Sequence, residues 1–361
     1  MKIKEDDGLL LIPTVQITNE SMVKDIVLNV EKEKQFGKIL SICIPTYNRE
    51  RKLKQFLQCA VEECEKLGIT ICVSDNASTD DTEIMVREFM KHHPNIKYHK
   101  NNINVGALRN FNSALAMANT NYKWLMGDDD LINKESLCKI LDILYKYNPQ
   151  LLIVNGGRRL KNGEFRCNVS NIKSRIYKNK NELLGDVGYY MSWMSCLIIC
   201  EDYIEDYTKY NWTAFWHTAS LLTQFGLMNK IYVYFESSPV VYNNNYESGG
   251  EDYSKSVLEY FTNDWYKISV NIPNYNDVNR EKFRYGHRDN VYSFGLKDFM
   301  VLRICGAFNY NVYKKIKRNI KYASKETSWK ILMIALLPPV MPRVIYYKVK
   351  KIKQLIKEWI E

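Results

Sequence analysis

Three consecutive carboxylates, Asp128-Asp129-Asp130, follow the apolar run Trp124-Leu125-Met126-Gly127, which reads as the end of a buried strand. Carboxylates packed this closely repel one another, and unpaired buried charge is costly. A cation is expected to offset that cost. Magnesium or manganese is the natural candidate, because hard cations take oxygen ligands and bridge to substrate phosphates. The plain alternative is a solvated acidic turn capping the next helix, since Asp suits an N-cap.

Two further polar clusters sit at comparable places. Pro45-Thr46-Tyr47-Asn48-Arg49 follows the apolar run Ile39–Ile44, and Ser74-Asp75-Asn76-Ala77-Ser78-Thr79-Asp80 follows Ile69–Val73. Apolar residues at helical spacing (Leu53, Phe56, Leu57, Ala60, Val61, Cys64) predict a helix over Arg51–Leu67 that stops at Gly68. Helices are also predicted over Asp80–Lys91, Ala107–Ala118 and Lys134–Tyr147, with strands at Ile96–His99, Tyr122–Met126 and Leu151–Val154. Strands alternating with helices imply βαβ units, hence an α/β fold with a mostly parallel sheet flanked by helices. In such sheets ligands bind beyond the carboxyl ends of the strands, where all three polar clusters fall. Further on, Gly156–Cys167 reads as a hairpin, Met191–Cys200 as a strand, Thr213–Phe225 as a helix, and Lys230–Phe235 and Pro239–Tyr242 as two strands. The loop Asn243–Asp252, with Gly249-Gly250, has the composition of a mobile lid, and the chain from Tyr253 reads as mainly helical.

Taken in order, Ser41–Arg49, Val73–Asp80, Asn104-Val105-Gly106 with Asn110, and Gly127–Asp130 resemble the family 2 glycosyltransferases of the GT-A fold. The resemblance covers roughly residues 39–240. Within that family the chain is most similar to bacterial enzymes of surface-polysaccharide assembly, the abequosyltransferase-like group. The resemblance implies a GT-A catalytic domain over 39–252, with a nucleotide-sugar half (39–135) and an acceptor half (136–252). Asp75 would hydrogen-bond the base of a nucleotide-sugar donor, with Pro45 and Tyr47 shaping the wall around it. Thr46, Asn48, Arg49, Asn76 and Gly106 would complete the donor site, and Arg109 would lie near the phosphates or else on the helix surface. Asp128 and Asp129 would face ribose and metal, and Asp130 would hold Mn2+ or Mg2+ against the diphosphate. The metal would neutralise charge on the departing nucleoside diphosphate.

Members of this family commonly invert the anomeric centre, using an Asp near the start of a helix as general base. Here the corresponding stretch, Tyr210–Thr218, contains no acid. His217 is its titratable residue, and imidazole suits proton transfer near neutral pH. Glu201, Asp202, Glu251 and Asp252 compete for the role. The Gln-x-x-Arg-Trp pattern of processive synthases is absent, which points to transfer of a single sugar.

With 361 residues, 46% hydrophobic, the chain can bury a large core. Its nine Cys show no CxxC spacing, so reduced core thiols and a cytosolic setting are expected. Met1–Asp7 is charged and the apolar run Leu9–Ile12 is short for a secretory leader. The net charge is +10, and Lys314–Glu361 carries thirteen Lys/Arg against three Glu, so the rest of the chain sums to zero. Ile331–Pro342 is uncharged but too short to span a bilayer. Beyond it, Ile345, Val349, Ile352, Leu355, Ile356, Trp359 and Ile360 mark one helical face among lysines. Residues 1–38 therefore read as an extension, 253–328 as a helical region, and 329–361 as a basic amphipathic tail lying on an anionic membrane surface. The expected location is the cytoplasmic face of the cell membrane, with a glycan or lipid-linked acceptor. A sugar nucleotidyltransferase would need a Gly-rich basic loop after the first strand, which Pro45-Thr46-Tyr47-Asn48 does not supply. A nucleic-acid-binding protein would put its basic residues to use against phosphates, but this tail is aliphatic rather than Gly/Arg-rich, so no nucleic-acid partner is expected.

Overall fold

The computed structural model describes residues 39–159, 165–243 and 256–338. The extension 1–38, most of the expected lid with Glu251 and Asp252, and the amphipathic segment from 339 lie outside the described residues.

The first half runs β1 (Leu40–Thr46), α1 (Glu50–Lys66), β2 (Thr70–Asp75), α2 (Thr82–His92), β3 (Ile96–Lys100), α3 (Ala107–Ala116) and β4 (Tyr122–Leu125). Strands β3, β2, β1 and β4 lie side by side and parallel. Every residue of β1 and β4 is buried, which is why they read as continuous rather than alternating apolar runs. Lys123 within β4 is tolerated because its ammonium reaches Glu201 at 3.0 Å. All six apolar positions predicted for α1 are buried. Burial of each large one contributes roughly 2 kcal/mol. The helix stops where Gly68 takes a φ of +68°.

The second half adds β5 (Asp130–Ile132), α4 (Leu137–Tyr147), β6 (Leu151–Arg159), β7 (Phe165–Cys167), β8 (Arg175–Tyr177), α5 (Lys180–Asp186), β9 (Leu197–Cys200), α6 (Trp216–Leu227) and β10 (Val233–Asn243). Among the described residues the sheet order is β3-β2-β1-β4-β9-β6-β10-β5, with β7 on β6 and β8 on β10. β9 runs antiparallel between β4 and β6, while β6 and β10 are parallel. The expected hairpin is the β6–β7 pair.

Two sequence expectations need correction, and one alternative falls away. The acidic triplet does not cap a helix: Asp130 begins β5 and pairs with Asn243 at the end of β10. Met191–Cys200 is not one strand, since tight 3-10 turns at Gly188–Ser192 and Met194–Cys196 precede β9. The two short strands after Lys230 are one, β10, whose register shifts between Glu236 and Pro239. Pro239 cannot donate to a ladder, and a bulge accommodates it.

After Tyr253 the described chain is helical: a π turn at Tyr260–Asp264 enters α7 (Trp265–Asn271), then α8 (Asp277–Asn290), α9 (Leu296–Ile304), α10 (Tyr310–Ile316) and α11 (Ser328–Leu336). Trp265 stacks on Phe283 at 4.3 Å, and both join the core of the sheet domain. Phe299, Phe308, Ile316 and Ile331 form a second core between α9, α10 and α11. Position 329 lies in α11, which buries Ile331, Ile334 and Ala335. No helix among the described residues is long and apolar enough to cross a membrane.

Candidate active site

The loops after β1, β2 and β4 meet at one sheet edge. Thr46, the last residue of β1, donates its hydroxyl to Asp128 Oδ2 at 2.8 Å, and Arg49 Nη1 donates to Asp128 Oδ1 at 2.8 Å. Arg49 also lies 3.5 Å from Asp129 Oδ2, and Lys52 Nζ lies 3.4 Å from it. Part of the positive charge that the triplet demands thus comes from the chain itself. Burial pushes the Asp128 carboxyl up, and Arg49 beside it opposes that rise.

The β1 and β2 loops are tied together. Asn48, at φ +52°, accepts the Thr79 N–H at 2.7 Å, and its own N–H donates to Ser78 Oγ at 2.9 Å. Asn is among the few residues that take this conformation cheaply. Asp75 is fully buried. It accepts the Tyr98 hydroxyl at 2.6 Å and the Ser78 N–H at 2.7 Å. A ladder of amides joins the next loop. Asn76 bonds Asn104 and the Val105 N–H, both at 2.9 Å. Asn110, on α3, accepts from Ser74 Oγ and Asn101 and donates to the carbonyls of Ser74 and Thr46. Gly106 sits at φ +85° where α3 begins. Tyr47 is 44% exposed at the rim and Pro45 lies within β1 opposite Ser74. Arg109 is exposed on α3.

Asp130 is held differently. Its Oδ2 accepts the Trp193 indole N–H at 2.8 Å and the Ser195 hydroxyl at 2.5 Å. Burial first, and Asp129 second, push its carboxyl up to about 7. A Cβ at Gly127 would come within 3.1 Å of Asp130 Oδ2 and 3.2 Å of Asp129 Oδ1, so a larger residue there would push these carboxylates by a few tenths of an ångström. Among the described residues no three His, Cys, Asp or Glu side chains are grouped to hold a metal ion. A divalent cation of the magnesium type needs only one or two carboxylates when phosphate and water complete its shell. Asp129 and Asp130 supply such hard oxygens, and a cation would stabilise the charge that burial disfavours on Asp130. The residues fit.

The model of the family described as "Glycosyl transferase family 2" matches residues 41–207, the span that contains these loops. Residues 41–207 are a family 2 glycosyltransferase domain. Two curated relatives match in part. One is abequosyltransferase RfbV of Salmonella typhimurium, 43% identical over 102 residues, covering 27% of this chain and 30% of that protein. The other is the GalNAc(5)-diNAcBac-PP-undecaprenol beta-1,3-glucosyltransferase of Campylobacter jejuni, 30% identical over 103 residues, covering 28% of this chain and 33% of that one. The chain thus matches about a third of the length of these relatives. The crystal structure of S. aureus TarS 1-349 in complex with UDP-GlcNAc is similar in fold, with a TM-score of 0.52 and 16% identity over 79% of this chain and 84% of that one. The fold is the GT-A arrangement.

Beyond the end of the matched span, His217 on α6 is buried and lies edge-on to Trp216. Its Nε2 bonds the Met191 carbonyl at 3.0 Å, and Thr218 Oγ1 donates to the same carbonyl at 2.8 Å. Nδ1 is enclosed and has no hydrogen-bond partner. Burial lowers its pKa to about 4, so the ring is neutral at physiological pH. This geometry favours an anchor for the Gly188–Ser192 turn over a base facing solvent. Of the competing acids, Glu201 is exposed and pairs with Lys123, and Asp202 is exposed. Sequence reasoning missed Lys52, Tyr98, Trp193 and Ser195. Lys52 was legible, three residues beyond Arg49 at the start of a helix. Trp193 and Ser195 carry no local signal, because the pairing of β9 with β4 brings them to Asp130.

Proposed function

We propose that the chain is a metal-dependent, inverting glycosyltransferase that moves one sugar from a nucleotide-sugar donor to a lipid-linked glycan during bacterial surface-polysaccharide assembly, at the cytoplasmic face of the cell membrane. The observation that carries this reading is the convergence of the β1, β2 and β4 loops, with Thr46 and Arg49 bonded to Asp128 beside Asp129 and Asp130. The names of the two curated relatives, one an abequosyltransferase and one acting on an undecaprenol-linked glycan, support the donor and acceptor classes.

In this reading Asp75, oriented by Tyr98 and the Ser78 N–H, has lone pairs left to accept a base N–H once the loops that bury it move aside. Asp128, fixed by Thr46 and Arg49, forms the floor beneath the ribose. Asp129 and Asp130 would hold the cation, which when bound would neutralise charge on the leaving diphosphate. Arg49 and Lys52 add fixed positive charge at the same edge. The test is a transfer assay with UDP, GDP, CDP and dTDP sugars, manganese and a bacterial lipid extract. Labelled sugar should enter the organic-extractable fraction with one donor and not in EDTA. Transfer undiminished by EDTA would remove the metal from the account, and conversion of the labelled donor to sugar 1-phosphate and nucleoside triphosphate on addition of pyrophosphate would favour a nucleotidyltransferase.

A further inference from the structure

We propose that Trp193 and Ser195 are positioning residues for Asp130, gripping one of its carboxylate oxygens so that the carboxylate meets a divalent cation in a fixed orientation. The proposal rests on the metal-dependent reading above. Two donors converge on a single atom, Asp130 Oδ2. A carboxylate held twice through one oxygen loses most of its rotational freedom. Outer partners of this kind orient metal ligands, and their loss typically weakens metal binding by roughly ten- to a hundredfold.

Each donor is itself fixed. Ser195 Oγ accepts the Gly127 N–H at 2.9 Å, and the Ser195 carbonyl accepts the Trp124 indole N–H at 2.8 Å. Ser195 therefore bridges the acidic loop and the buried end of β4, with its hydroxyl proton directed at Asp130. Trp193 lies over Gly156, where an added Cβ would come within 2.6 Å of the indole ring. One turn earlier, His217 and Thr218 both hold the Met191 carbonyl. The segment 191–195 is thus clamped by α6, β6 and β4, and the side chains of Trp193 and Ser195 point at one oxygen. A segment with only a packing role has no need of that convergence.

Manganese alone is the probe. The free-ion EPR signal is followed as full-length protein is titrated in, for wild type, Asp130→Asn, Trp193→Phe and Ser195→Ala. Apo melting curves run alongside show whether each variant is folded. Trp193→Phe keeps the ring and removes the donor, and Ser195→Ala removes only the hydroxyl. Each should weaken manganese binding roughly tenfold. In the transfer assay each should raise the manganese concentration needed for half-maximal rate more than it lowers the rate at saturation. A merely structural role would lower the active fraction and leave manganese affinity unchanged. If Asp130→Asn loses manganese while both other variants bind within twofold of wild type, the positioning role is overturned and the metal reading stands. If wild type and Asp130→Asn behave alike, the metal reading fails and takes this proposal with it. Should Trp193→Phe misfold, Ser195→Ala decides.

Discussion

Asp130 and His217 are both buried, but their surroundings point to different work. Asp130 collects two donors at the edge where the loops converge, whereas His217 spends its Nε2 on a backbone carbonyl and encloses its Nδ1. His217→Ala should therefore keep turnover within about tenfold while lowering stability, since the Thr218 bond still holds the Met191 carbonyl. A loss of two or more orders of magnitude at unchanged melting temperature would restore the base. The titration has a definite sign. Burial depresses His217 to about 4 and His287 to about 3, against about 6.5 for the unfolded chain. Below 6.5 the unfolded state binds protons that the folded state refuses. The stabilisation is complete above about 6.5 and is lost as pH falls toward 4, at about 1 kcal/mol per pH unit for each ring. Urea unfolding at pH 7.5 and 5 should show this loss, reduced in His217→Leu. Equal slopes in both proteins would contradict it. At this scale the acidic triplet, Asp75 and Arg49 were legible because they belong to contiguous motifs. Trp193 and Ser195 were not, because they reach Asp130 only through sheet pairing.

The elements were legible wherever periodicity was long. All six predicted apolar positions of α1 are buried, and the parallel β1–β4 layer follows from runs that are apolar throughout. The misses fall where short-range signals compete. Met191–Cys200 has the composition of a strand, yet its first half is bound up in 3-10 turns that present Trp193 and Ser195. Ser237 and Ser238 look like a break between two strands, yet Asn155 donates to the Ser237 carbonyl at 2.9 Å and β10 continues through a bulge. Asn110 is the clearest test at this scale. It satisfies the carbonyls of Thr46 and Ser74 while accepting from Ser74 and Asn101, so it ties three loops to α3. Asn110→Ala should cost about 2–4 kcal/mol, because several buried partners lose their bonds together. It should also raise the donor KM more than it lowers kcat. Unchanged stability and KM would show that the amide ladder is incidental.

The whole molecule separates its charge: the excess of ten positive charges lies beyond residue 313. Helix α11 buries Ile331, Ile334 and Ala335 in the second core and exposes Trp329, Met333 and Leu336. Removing residues 339–361 should therefore leave the fold intact and weaken binding to anionic vesicles, by about 1 kcal/mol for each lysine lost from the surface. Removing 329–361 should also destabilise α9 and α10. Undiminished sedimentation of the shorter chain with anionic liposomes would refute the tail as anchor. The central claim, that the β1, β2 and β4 loops form a metal-assisted nucleotide-sugar site, is tested most directly by thermal shift. Wild type and Asp130→Asn are melted with UDP, GDP, CDP and dTDP sugars, each with manganese or EDTA. A ligand that binds only the folded state raises its melting temperature. The account predicts that one donor stabilises wild type with manganese, and that EDTA or Asp130→Asn abolishes most of the shift. An equal shift in EDTA and in Asp130→Asn, or no shift with any donor, would contradict it.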